Sequence, residues 1–288
     1  MPIEAPLVAR PVIIVDGVSR PALDAGLVEL RIEDSLIGHS SCRATFQNWG
    51  PGGSGEPAFL HFDRSVLDIG KSLRIEGPAG LDTGSLYEGL IDALEGEFPR
   101  DQVPRITCCA VPRLHTFRTV PRNRSFPNQT DARVFKLIAG EHGLTAHVSL
   151  DNAPVRVPDQ KKISDLAFVL GRARALGAEV WIDGDELHVH ATQQRPAATD
   201  NLTLGSNLLE LHGTWGAART GRLTRGTVPL VVVAGVTPGT VRLRAGLRVR
   251  LNGVGELFDG EYYLTRVSHK FSGVDGFTCA FEAERVAD

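Results

Sequence analysis

The sequence predicts a mainly β protein in which two similar β-barrel domains flank a small α/β domain, and three observations carry that reading. A motif occurs once in each half: Leu86-Tyr87-Glu88-Gly89 runs into Leu90-Ile91-Asp92-Ala93-Leu94, and Leu257-Phe258-Asp259-Gly260 runs into Glu261-Tyr262-Tyr263-Leu264. Each copy follows a glycine and an alternating strand, Gly70 before Leu73-Arg74-Ile75 and Gly246 before Leu247-Arg248-Val249-Arg250-Leu251. Copies this far apart indicate a duplicated domain, not a short-period solenoid. Helical periodicity is scarce outside the centre, and the 31 glycines and 17 prolines suit a chain of many turns. Only the middle changes its hydrophobic period from 2 to 3.6. The boundaries fall at residues 1–118, 119–200 and 201–288.

In order, Val12-Ile13-Ile14-Val15 is a strand stopped by the turn dipeptide Asp16-Gly17. Leu27 to Asp34 and Cys42 to Phe46 follow as strands, the second strictly alternating. Gly50-Pro51-Gly52-Gly53-Ser54-Gly55 reads as a flexible loop that no regular element tolerates. Ile106 to Leu114 closes the first domain. Thr130 is then the N-cap of a helix with Val134, Leu137 and Ile138 on its inner face and Gly143 at its end. Ser164 opens a second helix that turns Leu166, Val169, Leu170, Ala173 and Leu176 inward and stops at Gly177. Val180-Trp181-Ile182, Asp183-Gly184 and Leu187-His188-Val189-His190 form a hairpin. Gln193 to Asp200 is a polar linker, and strands resume from Asn201.

Composition narrows the function classes. The net charge of −3 argues against a general nucleic-acid binder, and no specific nucleic-acid binding is expected. The longest apolar run, Val228 to Val236, is broken by Pro229 and Gly235 and cannot span a bilayer, so no membrane insertion is expected. The start, Met1-Pro2-Ile3-Glu4-Ala5-Pro6, has neither the basic segment nor the apolar core of a secretory leader, which points to synthesis in the cytoplasm. Cys42, Cys108, Cys109 and Cys279 show no paired spacing, so buried free thiols are expected. Cys108 and Cys109, adjacent in a strand, should face opposite ways.

Candidate chemistry is sparse. Asp82-Thr83-Gly84-Ser85 matches the short signature of aspartic proteases, which need two carboxylates sharing a proton. A second copy is missing, so only an oligomer axis could complete it. An Asp82 hydrolase is therefore the alternative reading, and a hairpin tip the preferred one. His188 and His190, with His147 nearby, are two apart on one strand, but a zinc site wants three or four ligands. A surface face explains them better, and no metal or cofactor is expected. No G-x-S-x-G elbow, phosphate loop or dinucleotide fingerprint occurs. Two basic groups remain, Arg242, Arg244, Arg248 and Arg250 at alternating strand positions and Arg113, Arg118, Arg122 and Arg124 in a Pro-containing segment. Solvated faces account for both. A carbohydrate-binding module is disfavoured because exposed aromatic platforms are not evident among three Trp and three Tyr.

The segment Gly253 to Leu264, followed by Val267-Ser268-His269-Lys270-Phe271 and Gly276-Phe277-Thr278-Cys279-Ala280-Phe281, resembles the carboxyl-terminal domain of phage tail hub proteins of the late control protein D family, related to the amino-terminal part of VgrG spikes. Phe59 to Ile75 with Leu86 to Ile91 is similar to that family's first barrel, and Ile163 to Gly184 to its α/β insert. The resemblance implies tail-tube-like barrels and a homotrimer whose two barrels per chain build a pseudo-sixfold ring. That ring joins a hexameric tail tube, or its initiator, to a threefold central spike, beside other baseplate proteins. It also implies a structural role with no catalytic residues, assembly in a bacterial cytoplasm, and a place in a virion baseplate or tail-like particle. Because the chain stops at Asp288, the spike is expected to be a separate polypeptide. The motif residues Gly70, Leu86, Tyr87, Gly89, Gly246, Leu257, Phe258 and Gly260 are the expected assembly positions. Leu73–Ile75 and Leu247–Leu251 should hold equivalent places in the ring.

Overall fold

The computed structural model describes residues 10–35, 40–52, 55–78, 84–112, 115, 117, 120–150, 157–183, 186–191, 200–216 and 230–285. The fold is mainly β, and the chain divides into two compact units, residues 111–196 and residues 1–110 with 197–288.

The larger unit begins with β1 (Val12–Val15), β2 (Val18–Ser19), the short helix α1 (Pro21–Gly26), β3 (Leu27–Ser35) and β4 (Ser41–Gln47). It continues with β5 (Gly50–Pro51), β6 (Pro57–Ala58), β7 (Ser72–Glu76), β8 (Ser85–Glu97) and β9 (Arg105–Val111). Sequence reading missed α1, where Pro21 supplies a first turn ready-made for a helix. Gly50–Pro51 also departs from expectation. It pairs with Pro57–Ala58 in a two-residue ladder, short enough to need no donor from either proline.

The smaller unit holds β10 (Arg122–Arg124), α2 (Asp131–Glu141), β11 (Thr145–Ser149), β12 (Gln160–Ile163), α3 (Asp165–Ala175), β13 (Ala178–Asp183) and β14 (Glu186–Ala191). Both expected N-caps are present: Thr130 accepts from the Arg133 amide and Ser164 from the Ala167 amide. Gly143 and Gly177 end the helices with φ of 74° and 62°. Val134 and Ile138 are buried, but Leu137 is half-exposed, and Phe135 and Ala139 take the inner face instead. On α3, Phe168 joins the expected Leu166, Val169 and Ala173 in the core. The hairpin β13–β14 forms as read, and β11 adds to β14 in parallel.

The larger unit resumes with β15 (Asp200–Thr203), β16 (Glu210–Gly216), β17 (Leu230–Pro238), β18 (Arg248–Asn252), β19 (Gly260–Ser272) and β20 (Gly276–Arg285). Its 13-stranded sheet reveals a duplication in topology. The first six long strands pair in the order β3-β4-β9-β8-β7-β1, and the last six in the order β16-β17-β20-β19-β18-β15. Chain order and lateral order match strand for strand. One difference breaks the copy: β1 is antiparallel to β7, whereas β15 is parallel to β18.

Period-two alternation sets which face is dry. Leu30 and Ile32 of β3, Cys42, Ala44 and Phe46 of β4, and Ile106, Cys108 and Ala110 of β9 point into one core. Arg31, Arg43 and Cys109 point the other way, and Cys109 is half-exposed where its neighbour Cys108 is buried. The second repeat has its own core, with Val233, Val249, Leu251, Tyr262, Leu264, Val267 and Phe281. All four cysteines are free, as expected, although Cys109 is not buried.

Candidate assembly surface

The two hairpins carrying the sequence motif are anchored identically. Gly70 (φ 87°) donates its amide to the Ile91 carbonyl at 2.8 Å, and Ile91 returns a bond to Lys71 at 2.9 Å. Gly246 (φ 95°) donates to Leu264 at 2.8 Å, and Leu264 returns a bond to Leu247 at 2.9 Å. Both glycines hold left-handed backbone that a side chain would strain. The anchors fix the correspondence. Lys71 to Glu76 matches Leu247 to Asn252, and both strands β7 and β18 bury their second and fourth residues.

Counting from the anchors, the residue of β19 that occupies the place of Gly89 is Tyr262, not Gly260. Gly89 pairs with Leu73, and Tyr262 pairs with Val249. Leu86 and Tyr87 are buried inside β8, whereas Leu257 is half-exposed and Phe258 packs on the second core in the turn before β19. The sequence motif thus lies two residues out of structural step between the copies. Gly260, with φ of 144°, opens β19 opposite Leu251.

The repeats are joined through their strands. The far half of β19 pairs antiparallel with β3, Arg266 opposite Ser35 through Ser272 opposite Glu29. Ser268 Oγ donates to Glu33 Oε1 at 3.0 Å, and the Ala245 amide donates to Asp34 Oδ2 at 3.1 Å. Arg244 donates to the Leu86 carbonyl at 2.6 Å and also to the Ser85 carbonyl. The alternating positions of Arg242 and Arg244 predict a strand face, but both lie in the irregular segment before β18. Arg244 is a cross-brace between repeats, which no local pattern announces.

Each strand of that joint has a counterpart with an open edge. The strand matching β3 is β16, which ends the sheet and pairs only with β17 among the described residues. The strand matching β19 is β8. Its near half pairs with β7, but beyond Ile91 that edge has no partner among the described residues. The outer face of the joint carries a concavity of about 410 Å³ lined both by charged side chains, Arg31, Glu33, Lys270 and Glu282, and by apolar ones such as Leu211 and Val236. Its charges are largely matched internally, Arg31 to Glu33 at 2.6 Å and Arg266 to Glu282 at 3.6 Å.

Those of the remaining candidates that the structure describes sit in structural contacts. Asp82 and Thr83 lie outside the described residues, as do Arg113, Arg118 and most of the 193–200 linker. His147 and His188 are directly paired and stacked at 5.1 Å, Trp181 stacks on His188 at 5.1 Å, and both imidazole Nε2 atoms lie 3.3 Å from Glu186. Burial, then the neighbouring His188 and His147, lowers the His190 pKa. Among the described residues no group of three or more His, Cys, Asp or Glu side chains is arranged to hold a metal. Arg122 and Arg124 are not a solvated face. Both reach Glu141 at 2.7 Å and both engage the buried Asp165, which also takes bonds from Gln160 and His142.

One Cys–His pair invites a nucleophilic reading and fails it. His269 Nδ1 lies 3.1 Å from Cys279 Sγ, but both residues are fully buried. Burial pushes the thiol up to about 11 and the imidazole down to about 3, so both are neutral and closed to substrate. An aromatic cluster, by contrast, corrects the expectation that none is exposed. Trp49, Phe59, Phe62 and Phe98 lie within 5.1–5.9 Å of one another in sequence of contact, with Phe98 62% exposed. Phenylalanine supplies three of its four rings, which a count of Trp and Tyr overlooks.

This architecture is a known one. A prophage MuSo2 43 kDa tail protein from Shewanella oneidensis shares it at a TM-score of 0.71 and 13% identity, over 96% of this chain and 98% of that one. A tail protein from Neisseria meningitidis MC58 does so at 0.69 and 14%, over 96% of each chain. The E. coli c3393 protein, a component of the type VI secretion system, matches at 0.69 and 14%, over 91% of this chain and 74% of that one. The fold is therefore that of phage tail proteins and their secretion-system counterpart. By its sequence over residues 58–222, more than half its length, the chain belongs to the Alg8 N-terminal domain family. Comparison with curated proteins gives no match. No helix among the described residues is long and apolar enough to cross a membrane.

Proposed function

We propose that the protein is a structural baseplate hub of the late control protein D and VgrG kind. Three copies would form a pseudo-sixfold ring between a hexameric tail tube and a trimeric central spike. The observation that carries this is the joint between repeats. Within the chain β19 accepts β3, and among the described residues the counterparts of those two strands, β8 and β16, keep an open edge. Pairing β16 of one copy with β8 of the next repeats the same contact heterologously, and such a contact closes into a ring when the rotation allows. Two repeats per chain then give three copies six near-equivalent positions. Closure also removes the exposed strand edges that otherwise invite aggregation.

On this reading the two repeats, 1–118 and 201–288 in the sequence division, are the ring domains, and 119–200 is the α/β insert. The partners are further copies of the chain, a spike, a tube or tube-initiator protein and neighbouring baseplate components, assembled in a bacterial cytoplasm into a phage or phage-tail-like particle. The role is mechanical and non-enzymatic. A native mass near three times 31.0 kDa, or three copies per purified particle, is the expected result. A stable dimer, or a copy number that three does not divide, overturns it.

A further inference from the structure

The exposed aromatic cluster sits at the end of the open β8 edge. Phe98 directly follows β8, and Phe62 and Phe98 pack over Gly96 so closely that a Cβ there would meet them at 3.2 and 3.1 Å. Trp49 is 38% exposed, Phe59 49% and Phe98 62%, a contiguous apolar group of the kind that marks an interaction site. The corresponding place in the second repeat is not bare. Seven residues past the anchor, where β8 leads to Phe98, β19 carries Phe271, which is 1% exposed and belongs to the first repeat's core. It lies opposite Leu30 of β3, and Phe277 packs beside it against the same core. The amino-terminal half of β3 flanks Phe271 and helps to cover it, with the Arg10 guanidinium over the ring at 5.7 Å from its centroid.

We infer that the cluster Trp49, Phe59, Phe62 and Phe98 is the seat for a second copy of this chain, covered by the amino-terminal end of that copy's β16. The inference rests on the ring reading and deepens it. The occupant follows from the internal joint, because β16 is the topological counterpart of the strand that flanks Phe271. The antiparallel sense carries over as well. In the joint Leu30 is near the end of β19 and Ser35 near its middle, so the start of β16 runs beside Phe98. Leu209, immediately before β16, is 52% exposed and supplies an apolar side chain at that end. Aromatic anchors covered by a neighbour are the usual energetic centre of such interfaces.

Photo-cross-linking tests this. The full chain carrying a benzophenone amino acid in place of Phe98 is irradiated as the purified protein and within isolated particles, and the adducts are mapped by mass spectrometry. Adducts to residues 209–216 of another copy are expected. A trimeric mass with adducts elsewhere overturns this seat while leaving the ring in place. Absence of a trimer in both preparations overturns the ring and the seat together. A second measurement does not depend on the probe: Phe98→Ser should raise the trimer's dissociation constant at least tenfold, and the control Leu137→Ser, half-exposed on the smaller unit, should not. Equal effects of the two substitutions would also overturn the seat.

Discussion

Strands β8 and β19 are the same object in two settings. Each has 13 residues, each is anchored by a left-handed glycine to a five-residue strand, and each continues into its second half beyond that strand. In β19 the second half pairs with β3 and buries Val267, Ser268, His269 and Phe271, leaving Arg266 and Lys270 exposed. In β8 Leu94 is only partly covered, and Glu95, Gly96 and Glu97 are exposed. The side chains follow the setting, Val-Ser-His on one strand and Leu-Glu-Gly on the other. Glutamates on an open edge keep it soluble until it is paired. Whether a strand half is core or surface is thus decided by the neighbour across its edge, not by its own hairpin.

The strongest way to break the comparison is at its closed end. Phe271→Ala removes a buried ring between the repeats, and core phenylalanine truncations cost about 3–5 kcal/mol. Denaturant unfolding of the purified chain should show that loss. A loss below about 1 kcal/mol would mean the joint is not a packed core.

Next in size is the cross-brace. Arg244→Ala deletes two charge-assisted bonds to the carbonyls of Ser85 and Leu86, each worth about 1.5–3 kcal/mol where the acceptor cannot find water. With partial access for solvent, a net loss of about 2 kcal/mol is expected in the same assay. Arg244→Lys should recover only part of it, since a compact ammonium does not reproduce the planar fork with which the guanidinium reaches the two carbonyls.

His269 makes the joint sensitive to acid. Its folded pKa of about 3 lies below the ordinary value of 6.5, first because burial disfavours the cation and then because Arg244 repels it. The unfolded chain therefore binds a proton between those two values that the folded chain refuses. Stability from this group is fully present above pH 6.5 and falls as pH drops toward 3, by about 1.4 kcal/mol per pH unit. His269→Gln should flatten that part of the stability profile. An unchanged slope would assign the acid sensitivity to other groups.

What the sequence disclosed follows from how local each feature is. Alternation in Cys42 to Phe46 and the caps at Thr130 and Ser164 act within a few residues, so they could be read directly. The duplication was visible in Gly70 and Gly246, whose φ requirement leaves a glycine in the chain. Matching Gly89 to Gly260 slipped by two because sequence similarity ranked the glycines above the hydrogen-bonded register that puts Tyr262 there. Periodicity alone turns Leu137 inward, although Phe135 has the larger surface to bury. The edges of β8 and β16 left open among the described residues, the bracing of Leu86 by Arg244 across 158 positions and the closing of the Trp49–Phe59–Phe62 ring group by the distant Phe98 depend on partners far along the chain or in another molecule. No window on the chain contains them.

The smallest expected effect sharpens the comparison most. Phe98 holds the position of Phe271 but is 62% exposed, so Phe98→Ala in the isolated chain should change unfolding free energy by about 0.5 kcal/mol or less. The same truncation that costs several kcal/mol at the closed joint should therefore be nearly silent at the open one. The silence has a condition, because it must vanish when copies assemble. If Phe98→Ala destabilises the monomer as Phe271→Ala does, the first repeat already buries its aromatic cluster and the edge beside it is not waiting for a partner. If the variant is silent in the monomer but costly in the oligomer, the two ends of the duplicated sheet are one contact, made once within the chain and once between chains.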